Sequence, residues 1–344
     1  MTSRTTQQAF EEFERTSVRV PDAENKLAKT VQAEFRAVLR EQLDEFHSES
    51  FLAGSYPRKT QAVRLKDLDL VVVLRDPAGE FAASASGTLA FIKQLAQAYP
   101  RVSGATTKCR AIECDLTGVP FWVDIVPALE NEQGDLLLAY VDRDEGIDEW
   151  RSADPKGQIH ACQAKNAQTA GMYVPVTRIC KFWNQSFTSS PEQEKPLPSY
   201  MVEAVLFDAV DGPVEWAEAV LVFFENARRH LSEPSATVPC PGKATEFVDE
   251  KLDPLRQARA LTKVEAVLPP VRRAAVERDP AAAVNLWAQV FGPAFPAPAT
   301  DSKTMSNALR TGSFSVVGSG ISPSPVAGRR PIPVRSHGPK PADS

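Results

Sequence analysis

Residues 54–74 read GSYPRKTQAVRLKDLDLVVVL, and this stretch decides the fold class of the chain. Its second half, Asp67 to Leu74, is an apolar, β-branched run that reads as a buried strand. Residues two apart on a strand share a face, so Asp67 and Asp69 stand side by side while Leu68 and Leu70 turn the other way. Two adjacent carboxylates on a buried strand repel each other and lose hydration, and a divalent cation is the natural compensation. The plain alternative is a solvated edge strand, but the apolar residues around the pair call for burial on both faces. Ahead of the strand, Gly54 permits close backbone approach, and Ser55 adds a hydroxyl and N–H groups suited to phosphate.

Working outward, Leu27, Val31, Phe35, Leu39 and Leu43 repeat every fourth residue and predict a long helix over Asp22 to Phe46. A short strand, Ser50 to Ala53, leads into Gly54. Gly79 to Tyr99 reads as helical in its second half. Ile112, Cys114 and Leu116 alternate with Glu113 and Asp115, then Thr117-Gly118 turns into Val119 to Val126, a hairpin with one wet face. That hairpin carries a third acid, Asp124, able to complete a three-carboxylate nest if its strand lies beside Asp67 and Asp69. Further on the period becomes helical: Val176, Ile179, Cys180 and Trp183 form one apolar face after Pro175. Helices are expected from Ser199, from Pro213 and from Asp279-Pro280, the last stopping at Gly292. Lys181 falls on the stripe with Arg178 and Gln185, away from the apolar face, which predicts a free ammonium. Arg178 reads as a solvated or salt-bridged residue and Trp183 as core.

Composition narrows the classes. The chain has 344 residues, 43% of them apolar and 24% charged, the balance of a globular protein with two structural units before a tail. No apolar run approaches the ~18 residues of a membrane span, and the polar, acidic start is unlike a signal peptide. Six basic against two acidic residues from Asp301 to Ser344 give the tail +4, which leaves the body near −9 of the total −5. Such a body argues against stable nucleic-acid binding. The five cysteines have no C-x-x-C spacing, which argues against zinc and reads as reduced thiols in a cytoplasmic setting. Gly312 to Ser344, rich in Pro, Ser and Gly, is expected to be disordered.

Taken together, GSYPRKTQAVRLKDLDLVVVL resembles the G-S-x-x-R-x-T…D-h-D-h signature of DNA polymerase β-like nucleotidyltransferases. It is closest to the cGAS/DncV-like enzymes, the CD-NTases, which are related to 2′-5′-oligoadenylate synthases. Later segments add to the likeness: RICKFWNQSF (178–187) resembles a Lys-x-Trp-Asn helix, LPSYMVEAVLFDAV (197–210) a Ser-Tyr-x-x-Glu helix, and NLWAQVFGPAFP (285–296) the segment that closes the core. The resemblance implies an α+β fold with a mixed sheet. Its parts are a nucleotidyltransferase lobe with a long N-terminal helix over 1–160, a helical lobe over 161–298 and a tail over 299–344. It implies that Asp67, Asp69 and Asp124 hold two Mg²⁺ (Mn²⁺ may substitute) and that Gly54 and Ser55 hold the donor triphosphate. Lys181 and Ser199 would contact the β- and γ-phosphates, and Tyr200 would stack on a base. Ser199 after Pro198 also makes a good helix cap, and that alternative stays open. Arg58 and Thr60 fit the signature, Lys59 stands where glycine is common, and His160 reads as structural. Arg64 and Lys66 are phosphate-neutralising or simply exposed.

The activity implied is synthesis of a cyclic di- or trinucleotide from nucleoside triphosphates (ATP, with GTP, UTP or CTP open), releasing pyrophosphate, in bacterial antiphage signalling with a separate effector reading the product. Transfer to an RNA end or an antibiotic hydroxyl is the second reading. A scaffold that has lost catalysis is disfavoured, because an idle carboxylate cluster costs stability.

Overall fold

In the computed structural model, the described residues are 4–187, 195–233, 237–248 and 252–298. The disorder expected of the tail therefore lies outside the described residues. Those up to 298 belong to one compact unit. Helix α1 (Thr6–Phe13) begins at a reciprocal cap in which Thr5 and Gln8 each bond the other's backbone. Helix α2 (Asp22–Leu43) buries Ala28, Val31, Phe35, Leu39 and Leu43, the expected stripe, with Leu27 at its half-buried margin.

A mixed seven-stranded sheet follows, and the fold is α+β. Strand β1 (His47–Ala53) runs into the single turn α3 (Ser55–Arg58) and lies antiparallel to β2 (Asp67–Leu74). Helix α4 (Ala85–Ala96) then crosses to β3 (Val102–Thr107), β4 (Ile112–Leu116) and β5 (Trp122–Glu130). The order across the sheet is β1-β2-β5-β4-β3, with β2 and β5 parallel. The hairpin β6 (Leu136–Asp142) and β7 (Ile147–Ala153) extends from the far end of β5. One face of the sheet, with Leu68, Leu70, Ile112, Cys114, Val123 and Ile125, packs under α2 and α4 into an apolar core. The other face keeps its polar residues at the β2 and β5 starts.

The remaining elements are helical: α5 (Pro155–Gln168), α6 (Tyr173–Gln185), α7 (Ser199–Ala209), α8 (Trp216–Ser232), α9 (Pro254–Val276) and α10 (Pro280–Phe291). A small hairpin, β8 (Pro239–Cys240) and β9 (Lys243–Phe247), precedes α9. Asp279 caps α10 through the Ala282 N–H, as expected from Asp-Pro. Trp287, Phe291 and Phe295 close on Phe10 at ring separations of 5.0–6.0 Å. Thus α1, first in the chain, packs in the helical core. Val18 and Ala62 join the same core.

Candidate active site

The parallel pairing of β2 with β5 sets Asp67 opposite Trp122 and Asp69 opposite Asp124. Paired positions on neighbouring strands share a face, so Asp124, distant in sequence, joins the neighbours Asp67 and Asp69. Antiparallel pairing of β4 then sets Glu113 opposite Asp124, adding a fourth acid that carries an ion pair with Lys108 at 3.1 Å. Burial pushes all three aspartates above the usual carboxyl range. The Asp67 charge helps lift Asp69 to about 6. The charges of Asp69 and Asp67 help lift Asp124 to about 7. Burial raises Asp67 against the opposing charges of Lys181, Lys195 and Lys66. One oxygen, Asp124 Oδ1, is buried with no hydrogen-bond partner.

Gly54 follows β1, whose last residue, Ala53, pairs with Asp69. Its φ of 68° and ψ of −156° belong to a region that only glycine occupies readily. A Cβ there would fall 2.7 Å from Asp69 Cγ and closer still to Oδ2. The glycine is therefore required twice, by its backbone and by the carboxylate beside it. Lys59 ends α3 with φ of 59°, in the left-handed region, which explains why glycine suits that position.

Behind the triad lies a buried ion cluster. Glu203 of α7 accepts from Arg58 Nε at 2.9 Å, from Arg58 Nη2 at 3.2 Å and from Lys181 Nζ at 2.6 Å. Burial works against the Glu203 charge, but Lys181 and Arg58 outweigh it and hold the carboxyl down at about 2. Burial lowers the Lys181 pKa, with Glu203 opposing. Lys181 is therefore not the free ammonium expected from its stripe: at this position the stripe meets Glu203 of α7. Arg178 is ion-paired, to Glu14 at 2.6 Å, and also bonds the Lys59 carbonyl. Trp183 is core, as expected.

Asn184, in the same helix as Lys181, clamps Leu197 with two backbone bonds of 2.8 and 2.9 Å and so fixes where α7 starts. Pro198 is the N-cap residue and Ser199 the first helical one, so Ser199 makes no cap. Its hydroxyl instead accepts from Lys195 Nζ at 3.2 Å. Burial, with the neighbouring charges of Lys66 and Lys181, lowers the Lys195 pKa. Periodicity does not point to Lys195 or Glu203; the nearest signal was an acid placed within the apolar run MVEAVLF. The Tyr200 ring has the Arg58 guanidinium over one face at 5.0 Å, and its hydroxyl lies 3.2 Å from Cys240 Sγ. His160 is exposed on α5.

Residues 4–166 match the model of the Second Messenger Oligonucleotide or Dinucleotide Synthetase (SMODS) domain. That match covers just under half of the chain, and the fold is that of solved CD-NTases. Among solved structures, E. coli MS115-1 CdnC with ATP is 18% identical, with a TM-score of 0.66 over 85% of this chain and 99% of that one. The apo form of Vibrio cholerae DncV is 13% identical, with a TM-score of 0.67 over 86% and 99%. Bradyrhizobium diazoefficiens CdnG with GTP is 13% identical, with a TM-score of 0.66 over 83% and 95%. No curated protein matches the chain in sequence. Among the described residues, no helix is long and apolar enough to cross a membrane.

Proposed function

We propose that this chain joins nucleoside triphosphates into a small cyclic oligonucleotide, a second messenger read by a separate effector in bacterial antiphage defence. The observation that carries the reading is the register of Asp69 with Asp124, beside Asp67 and a lysine cluster, within a SMODS domain. Its messenger and defence parts rest on the likeness to CD-NTases.

The three aspartates fit divalent cations. Burial first and the neighbouring carboxylate charges second raise Asp69 and Asp124, and the orphaned Asp124 Oδ1 is a ligand atom without a partner. Among the described residues no acids, histidines or cysteines close into a preformed cage. Mg²⁺ takes one or two carboxylates and completes its shell with water and substrate phosphate. Asp67, Asp69 and Asp124 would hold it, with Mn²⁺ as a substitute; once bound, it neutralises phosphate charge and activates the attacking hydroxyl.

The chain's own residues hold the reactants. Gly54 lets a phosphate approach the backbone, and the Ser55 hydroxyl can donate to it. Lys195 and Ser199, with Lys66 nearby, would take the β- and γ-phosphates. Lys181, tied to Glu203, would act on them through its charge and by holding α6 against α7. Tyr200 has one ring face covered by Arg58 and would offer a base the other. In each transfer the oxygen of a 2′- or 3′-hydroxyl bonds the α-phosphorus while the α–β bridging P–O bond breaks. Pyrophosphate leaves and the hydroxyl proton passes to solvent. A final attack within the linear product closes the ring.

The test is incubation with all four NTPs and Mg²⁺ or Mn²⁺, then phosphatase digestion and mass spectrometry, beside an Asp67→Ala/Asp69→Ala control. Phosphatase-resistant cyclic products absent from the control are expected. Label from ATP appearing instead on an RNA end or an aminoglycoside would overturn the messenger reading.

A further inference from the structure

Trp122 is out of place for a structural tryptophan. Trp183, Trp216 and Trp287 are buried in the helical core, and Trp150 packs against the sheet core. The indole of Trp122 is 37% exposed, belongs to none of the apolar clusters and stacks with no described ring or cation. A Trp side chain carries about 150–250 Å² of surface that burial would stabilise. Here a good part of it stays in water, on the same sheet face as the acids.

Its position is tightly defined. Trp122 pairs with Asp67 across the parallel β2–β5 ladder and precedes Asp124 by two residues on β5. Its N–H donates to the Lys66 carbonyl at 3.1 Å, which ties the strand start to the residue beside Asp67. The ring thus flanks the carboxylates as closely as neighbouring strands allow, about 5 Å backbone to backbone.

The order β1-β2-β5 decides which nucleotide it would meet. Gly54 and Ser55 follow β1, on one side of Asp67, and Trp122 is on the other. In an in-line displacement the leaving pyrophosphate and the attacking oxygen lie on opposite sides of the phosphorus. With the triphosphate toward Gly54 and Ser55, the attacking hydroxyl comes from the β5 side. We propose that Trp122 is the platform on which the nucleobase of the attacking nucleotide stacks. Tyr200, over on α7, is left to the donor. Every base has a π-face, so this contact fixes the acceptor without reading which base it carries.

The inference rests on the nucleotidyltransferase reading above, and the experiment separates the two. In the full chain, Trp122→Ala, Trp122→Leu and Trp122→Phe are compared for kcat, KM and direct binding of ATP and GTP. Inorganic tripolyphosphate serves as a probe without a base. Loss of one base–aromatic stack raises KM about tenfold or more. The Ala and Leu variants should both show that rise, with the Phe variant near wild type. Tripolyphosphate inhibition and the thermal midpoint should be unchanged in all three. If Ala or Leu leaves KM and nucleotide affinity within twofold of wild type, stacking is refuted while the activity stands. If the wild type neither binds nor turns over any NTP, the activity fails and takes this inference with it.

Discussion

Gly54→Ala probes the tightest point of the site. Two separate penalties apply. The backbone at φ 68°, ψ −156° is in a region where any side chain costs about 1–3 kcal/mol. The new methyl also overlaps Asp69, at 2.7 Å from Cγ, and overpacking of this kind costs about another 1–3 kcal/mol. The penalties separate in a double-mutant cycle with Asp69→Ala. Without the carboxylate, the nearest remaining side-chain atom is Cβ at 3.3 Å, a contact that small shifts relieve. The backbone strain persists in both backgrounds. Gly54→Ala should therefore cost about 2–6 kcal/mol in the wild type and about 1–3 kcal/mol in Asp69→Ala, a coupling of about 1–3 kcal/mol between contacting residues. Urea denaturation of the metal-free chain at pH 7.5 measures all four corners, with a constant slope required for comparison. Pyrophosphate release should vanish in Gly54→Ala, since Asp69 must rotate away. Equal costs in the two backgrounds would refute the overlap, and a wild-type cost under about 0.5 kcal/mol would refute the strain as well.

Other expectations follow from the electrostatics. Asp69 at about 6 and Asp124 at about 7 hold protons in the folded chain that an unfolded carboxyl near 4 has released. Metal-free stability from these groups is thus greatest below pH 4 and is lost as pH rises toward 7; Asp69→Asn/Asp124→Asn should remove that fall, and a wild-type-minus-variant difference rising with pH would contradict it. Glu203→Gln leaves Arg58 and Lys181 buried around a neutral group and should destabilise by about 3–5 kcal/mol in denaturant titration. Adding Lys181→Met should recover part of that loss; a cost below about 1 kcal/mol would show the cluster to be solvated. Lys195→Ala should raise the KM for NTPs about tenfold, the worth of one charge-assisted hydrogen bond, with little change in thermal midpoint. An unchanged KM would remove Lys195 from the phosphate site.

Local chemistry made much of this chain legible. The β-branched run gives β2 its bounds, the four-residue repeat gives α2, and Asp279-Pro280 gives the start of α10. Three other elements lack such signals. Helix α5 buries only Pro155 and Cys162, so it has no apolar stripe to read. Helix α9 runs through Pro269 and Pro270, which read as a stop; its face of Val264, Leu268, Val271 and Ala274 holds it in the core regardless. Strand β7, IDEWRSA, is too polar to stand out and depends on its pairing with β6.

In the site the same division holds. By itself the sequence determined that Asp67 and Asp69 share a face, that Gly54 and Ser55 precede them, and that a third acid waits on a later strand. Period and residue type are local properties, and they act wherever the strand ends up. Tertiary structure alone decided that β5 pairs parallel to β2 in the register joining Asp69 to Asp124. It decided too that Lys181 of α6 meets Glu203 rather than water, and that Trp122 stands exposed beside Asp67. A helical or strand period says which residues share a face but not what that face meets, because the meeting depends on contacts between segments far apart in the chain.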